Sequence, residues 1–320
     1  MIKYKYNLKL KRIYVFILLI NLFYIQKNYY YYFCQKCINN ETKYKKCQEC
    51  SPNTLFKSIK IKSRDETLNE IIKNKKSIAR FGDGEFSIIF GRNISFQKYN
   101  ETLKDKLIKV LNSNIPNLLV GITNINNVKD EFWINYFKNY KFNLAKVINK
   151  NKIYYSTYIT RFYWPKANKQ IMKDYIIKFK TLWDKRNILI IEGEKTRMGI
   201  GNDLFNNSKS IKRIICPVVN AFSAYEKILK YIRLLKPNKE DLILISLGPT
   251  ATALVYDLLY LGNQIIDFGH FDINYEYYLR NATKKIKIPY KYVNEVPGGS
   301  KNITSIIDNN YYKQIIFNAT

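Results

Sequence analysis

The sequence predicts an α/β sandwich, a predominantly parallel sheet with helices on both faces. Short β-branched runs with little polar alternation recur along the chain, as in strands buried on both sides. Segments with apolar residues at helical spacing separate them, which is the alternation of layered α/β folds. A third observation concerns placement: glycines, arginines, acids and the single histidine gather just after the apolar runs, where open α/β sheets bind ligands.

In chain order, the predicted strands are 77–81 (SIARF), 117–122 (NLLVGI), 152–158 (KIYYSTY), 187–191 (NILII), 211–215 (IKRII), 241–247 (DLILISL) and 264–268 (QIIDF). Helices are predicted between them at 102–111, 131–147, 169–182, 221–235 and 251–261. Ahead of this unit, Lys3, Lys5, Lys9, Lys11 and Arg12 precede an apolar run over 13–25, which 29–33 extends past Gln26, Lys27 and Asn28. Residues 1–33 therefore read as a signal-anchor: no alanine occurs before Ala79, so no small-residue cleavage site follows the run. The positive flank predicts a single-pass type II membrane protein, its body luminal or extracellular. Asn-x-Ser/Thr sequons beginning at Asn40, Asn93, Asn100, Asn206, Asn281, Asn302 and Asn318 agree with that side of a membrane. Residues 34–63 form a stem with Cys34, Cys37, Cys47 and Cys50, a spacing that suits two disulfides in an oxidising compartment or zinc in a reducing one. Residues 64–320 are left as the catalytic or binding domain.

Lys and Arg number 54 against 25 acids, a formal charge of +29. That sign suggests an anionic partner. The charges are dispersed through linkers and helix faces, however, so they read as solvated surface and no nucleic acid is expected.

Four junctions carry the chemistry. In Arg80-Phe81-Gly82-Asp83-Gly84-Glu85, Gly82 and Gly84 permit a tight turn, and Asp83 and Glu85 are expected to aim two carboxylates at one hard cation, Mn²⁺ or Mg²⁺. In the segment from Glu192 to Asp203, Arg197 supplies a planar donor for phosphate or carboxylate, while Asn202 and Asp203 suit sugar hydroxyls. Gly248, Pro249 and Thr250 lead from a strand into a helix N-terminus, an anion site. Finally His270, among Asp267, Asp272 and Glu276, is a candidate metal ligand or base. The Walker lysine, the G-x-G-x-x-G spacing, the G-x-S-x-G elbow and zinc-hydrolase motifs are all absent from the sequence.

Taken in order, RFGDGEFSIIFGRNISFQKYN, IIEGEKTRMGIGNDLF with SIKRIICPVVNAF, SLGPTATAL and IIDFGHFDINYEYY resemble the GT-D type glycosyltransferases, over about residues 68–296. The resemblance implies a Rossmann-like fold, a nucleotide-sugar donor of the UDP-hexose kind, a glycan or glycoconjugate acceptor, and a divalent metal held by Asp83 and Glu85. It further implies Glu276 as general base, with Asp272 next in line, and transfer with inversion. Asn274 and Tyr277 depart from the family pattern, where an acid and a tryptophan are common. Two other readings of the same residues are a membrane-tethered polyanion-binding protein and a metal-dependent phosphohydrolase.

Overall fold

A computed structural model of the chain describes residues 56–126, 130–163 and 168–320. The anchor expected at 1–33 and the four stem cysteines lie outside the described residues. Among the described residues, no helix is long and apolar enough to cross a membrane.

Nine parallel strands form one sheet: β1 (Lys60–Ile61), β2 (Ser77–Arg80), β3 (Leu118–Ile122), β4 (Ile153–Ser156), β5 (Asn187–Gly193), β6 (Ser210–Cys216), β7 (Leu242–Ser246), β8 (Gln264–Asp267) and β9 (Ile315–Asn318). Their spatial order is β1-β4-β3-β2-β8-β7-β5-β6-β9. Side chains alternate across the sheet. Ile78, Ile188, Ile190, Leu242, Leu244 and Ile266 therefore enter one apolar core, and Ala79, Leu189, Ile191, Ile243, Ile245 and Ile265 enter the other. With both faces covered, an uninterrupted apolar strand is stable, as the sequence pattern implied.

The helices are α1 (Arg64–Lys73), α2 (Asp83–Ile89), α3 (Glu101–Leu111), α4 (Glu131–Val147), α5 (Lys169–Lys180), α6 (Tyr225–Leu235), α7 (Pro249–Asp257), α8 (Phe271–Leu279) and α9 (Asn309–Gln314). Leu68 and Ile71 of α1, Tyr175, Ile176 and Phe179 of α5, and Phe271 of α8 cover one face of the sheet. Phe86 of α2, Leu103 and Leu107 of α3, Ile228 and Ile232 of α6, and Leu254 of α7 cover the other.

Several local expectations need correction. The strand expected at 152–158 ends at Ser156 and turns into a 3₁₀ segment, Thr157–Thr160. Residues 221–224 are also 3₁₀, ahead of α6. The helix expected at 251–261 starts earlier, at Pro249, because proline's fixed φ and missing N–H suit a first helical position. Edge strand β1 carries too few residues for a periodicity to register and places the start of the sheet inside the segment read as stem, while edge strand β9, four residues that are nowhere fully buried, was not expected. Helix α1 went unpredicted although Ser63 and Glu66 form a capping box. Asp83 and Glu85 lie not on a turn but in the first turn of α2, where Glu85 Oε2 accepts the Gly82 N–H at 2.7 Å.

Candidate active site

The chain runs β2, β3, β4 toward one side of the sheet and β5, β6 toward the other, so β2 and β8 flank the place where the two halves meet. Crevices form at such points, beyond the carboxyl ends of the strands. Here β2 and β8 share only the Ile78–Ile266 register pair. Beyond it, the Asp267 side chain takes over the pairing: its Oδ2 accepts the Arg80 backbone N–H at 3.2 Å. Arg80 answers with Nη2 to Asp267 Oδ1 at 2.8 Å, Nε to the Asp267 carbonyl at 2.8 Å and Nη1 to the Thr157 carbonyl at 3.1 Å. This brace requires glycine nearby. Gly269 has φ +47°, and a Cβ there would sit 1.8 Å from Arg80 Nη2.

Above the brace lies a cavity of about 510 Å³. Residues following β2, β4, β5, β6, β7 and β8 all contribute to its wall, among them Gly82, Thr157, Thr196, Pro217, Gly248 and His270. Asp83 and His270, 187 positions apart in the sequence, thus share one cavity.

 Four carboxylates (Asp83, Glu85, Asp267, Glu295) and two guanidinium groups (Arg80, Arg161) line the wall. The site is therefore acid-rich inside a strongly basic protein.

Helix α7 begins at this wall. Its N-cap, Gly248, takes φ +56° and ψ −138°, and a Cβ there would meet the Phe96 ring at 2.5 Å. The loop carrying Phe96 is fixed in turn by Gln97, whose Nε2 donates to Asn220 Oδ1 at 2.6 Å and whose Oε1 accepts the Thr250 hydroxyl at 3.3 Å. Thr250, expected to bind an anion, instead fastens this loop from a buried position.

The electrostatics follow from crowding. Asp83 is open to the cavity, yet the protein around it raises its carboxyl above the usual range. Glu85 is pushed up to about 7, first by burial and then by the charges of Asp267 and Asp83. Burial, reinforced by Arg161, lowers His270 to about 4. The imidazole is then neutral at pH 7, and its tautomer is fixed by its neighbours. Arg161 Nη2 can only donate, so Nδ1 accepts from it at 3.1 Å, and the ring proton sits on Nε2, which faces Asn294 Oδ1 at 3.1 Å. Burial opposes ionisation of Glu295, but His270, Arg161 and Lys285 hold its carboxyl well below the usual range.

A sequence profile described as "Glycosyltransferase GT-D fold" matches residues 78–296. The chain belongs to the GT-D glycosyltransferase-fold family. A Streptococcus gordonii protein named "Probable glycosyl transferase Gly" is 35% identical over 270 residues, 82% of this chain and 39% of that protein. "Glycosyltransferase GlyD" of Streptococcus pneumoniae is 34% identical over 266 residues, 81% of this chain and 32% of its own length. The chain thus matches well under half of each of these relatives. A solved structure described as domain of unknown function 1792, with a distinct glycosyltransferase fold, superposes with a TM-score of 0.77 at 36% identity, over 84% of this chain and 99% of that one.

Of the residues singled out in the sequence, Arg80, Gly82, Asp83, Glu85, Gly248 and His270 line the cavity. Arg197, Asn202, Asp203, Asp272 and Glu276 do not. Arg197 Nη1 is spent on the carbonyls of Tyr290 (2.8 Å) and Thr304 (2.7 Å). Asp203 accepts the Tyr275 hydroxyl at 2.6 Å. Asn202 bridges Asp272 Oδ1 (3.0 Å) and Glu276 Oε1 (2.8 Å), and both acids are buried against Lys291. Arg161, Asn294 and Glu295 are among the wall residues that escaped the sequence reading. Arg161 follows β4 and its 3₁₀ turn, so the rule applied to the other strand ends would have found it. Asn294 and Glu295 follow no strand and gave no such signal.

Among the described residues, no three His, Cys, Asp or Glu side chains are grouped to hold a metal by themselves. Asp83, Glu85 and His270 thus do not form a ready ligand triad, and both ring nitrogens of His270 are already engaged. Two of the described wall carboxylates lack a cationic partner, Asp83 and Glu85, the latter with Oε2 on the Gly82 N–H. This fits ions such as Mg²⁺ that take one or two carboxylates and complete their shell with water and phosphate oxygens.

Proposed function

We propose that the chain is a glycosyltransferase whose cavity between β2 and β8 takes a nucleotide-sugar donor, of the UDP-hexose kind, and passes the sugar to a hydroxyl of a glycan or glycoconjugate. The observation that carries this reading is the acid excess of the wall, four carboxylates against two guanidinium groups, at the switch point of the sheet. Such a wall repels a bare diphosphate and accepts one accompanied by a cation. It also counts against polyanion binding at this edge. The names of the relatives support the transferase class.

In this reading Asp83 and Glu85 hold the ion. When bound, Mn²⁺ or Mg²⁺ supplies positive charge against the diphosphate oxygens. The protein's own contribution is positional. Gly248 lets the donor approach the start of α7, whose first backbone N–H groups favour negative charge. Arg80 braces Asp267 and holds the floor of the crevice. Arg161, turned to His270 and Glu295, places a second guanidinium on the wall. Glu276 and Asp272 do not line the cavity, so neither is assigned as the general base in this reading. Inversion at the sugar carbon is part of the proposal.

The test is product analysis with purified full-length protein, a panel of UDP-sugars and manganese, with and without glycan acceptors. Release of UDP from one donor, with sugar appearing on an acceptor, is expected. No UDP release from any donor would remove the reading, and release of UMP with sugar 1-phosphate from the donors would turn it into phosphohydrolysis.

A further inference from the structure

Between α8 and α9 the chain has no regular helix or strand, yet this stretch supplies Tyr292, Asn294 and Glu295 to the cavity wall. Something other than a hydrogen-bond ladder must seat it. Ile288 and Val293 bury against Ile273 and Tyr277 of α8. Between those two apolar anchors comes a lysine. Lys291 is fully buried, with Nζ 2.6 Å from Asp272 Oδ2 and 3.0 Å from Glu276 Oε1.

A buried ammonium is costly unless paired and hydrogen-bonded. The partners here are themselves fixed from a third element. Asp272 accepts the Gly199 N–H at 2.9 Å, and Asn202 donates to both acids. Glu276 is further held by Arg280 Nε at 3.2 Å and the Tyr290 hydroxyl at 3.2 Å. One residue on, the Tyr292 N–H reaches the Lys195 carbonyl at 2.7 Å. The lysine therefore fixes the strap against α8 and the 195–202 loop together, three to four residues before Asn294 and Glu295 meet His270 and Arg161.

We propose that Lys291 is a positioning residue, which through Asp272 and Glu276 seats the strap so that Asn294 and Glu295 hold the His270 ring and Arg161 in place on the cavity wall. This gives the two acids singled out in the sequence a role one layer beneath the site. It rests on the glycosyltransferase reading only for its kinetic consequence.

The chain's single histidine makes the test direct, because ring ¹⁵N signals from labelled full-length protein can belong only to His270. At pH 7 the wild type should show one tautomer, with the proton on Nε2 and Nδ1 bare. Lys291→Met should show averaging of the two tautomers, as should Asn294→Leu, in which the lysine stays seated and only the last contact is cut. Lys291→Met leaves two acids buried beside an apolar side chain. If it does not fold, the neutral set Lys291→Met, Asp272→Asn, Glu276→Gln replaces it, with the same expectation. In the kinetic arm, kcat for the donor should fall roughly a hundredfold, the scale of a site displaced by about 1 Å, with a smaller change in KM. A folded Lys291→Met protein or neutral set that keeps the single Nε2–H tautomer overturns the proposal. Failure of both to fold also overturns it, since the lysine would then hold the whole domain and not the strap. A wild type inactive on every UDP-sugar would count against the transferase reading and leave the tautomer result standing.

Discussion

Replacing Arg80 with methionine removes the brace under the cavity while keeping a side chain of similar length. The guanidinium is 11% exposed and its partner carboxylate 6%, so this pair is shielded from solvent. After the change Asp267 keeps the backbone N–H of residue 80 at 3.2 Å and the Thr252 hydroxyl at 3.4 Å, but no cation. Breaking a buried pair by removing one partner costs about 3–5 kcal/mol. At about 2–4 °C per kcal/mol for a domain of this size, the melting temperature should fall by about 6–20 °C. Burial already raises the Asp267 carboxyl, with Arg80 opposing, so losing Arg80 raises it further. A raised carboxyl binds its proton more tightly in the folded state. Its stability contribution is thus fully present below the unfolded value of about 3.9 and is lost as pH rises through the folded value. The deficit of Arg80→Met should therefore be smaller at pH 5 than at pH 7. Thermal melts followed by circular dichroism at both pH values measure this, alongside the double variant Arg80→Met, Asp267→Asn, which should recover part of the loss. A single variant within about 1 kcal/mol of wild type, or a double variant no more stable than the single, would refute the reasoning.

Three further outcomes follow from the same geometry. Burial alone would raise Glu276, but Lys291, Asn202 and Arg280 bring its carboxyl below the ordinary value, so its stabilising effect is present at neutral pH and lost on acidification; Glu276→Gln should cost about 1–3 kcal/mol in denaturant melts at pH 7, and an unchanged midpoint would place Glu276 outside this network. Gly248→Ala forces a Cβ to within 2.5 Å of the Phe96 ring at a backbone conformation few other residues adopt, and calorimetry should show UDP affinity falling at least about tenfold, the equivalent of 1.4 kcal/mol; unchanged affinity would separate the start of α7 from the donor site. Arg213 and Glu192 are buried at 1% and 0% exposure, and Arg213 also holds Gln314 at 2.7 Å. Arg213→Met should therefore cost about 3–5 kcal/mol in melts and expose α9 to limited proteolysis, whereas wild-type resistance would show that this pair does not fasten the C-terminus.

Seven of the nine strands were legible because burial on both faces demands β-branched runs, and those runs stand out in a lysine- and asparagine-rich chain. Strand β1, two residues long, and β9, at the sheet edge, exist through pairing with neighbours and have no pattern of their own. The glycines of the Gly82–Glu85 segment suggested a turn and concealed a helix start, which Glu85 caps. At the site, the strand-end rule brought Arg80, Asp83, Gly248 and His270 to one cavity, because covalent position at a strand's end fixes location whatever the tertiary contacts. It did not separate residues facing the cavity from those facing inward. Asp272 and Glu276 occupy the same helix as the cavity-lining Ile273, and only the arrival of Lys291 from 15 residues beyond Glu276 decides their direction. Asn294 and Glu295 depend on that same long-range packing, so local sequence held no mark of them.

The central claim, that the acid-lined cavity is a metal-assisted donor site, is tested most directly by titrating UDP into the full-length protein with manganese and again with EDTA, for wild type and Asp83→Asn. Binding that needs manganese is expected in the wild type, and its loss is expected in Asp83→Asn with little change in melting temperature. Equal UDP affinity in EDTA, or an Asp83→Asn protein that binds UDP with manganese as the wild type does, would contradict it.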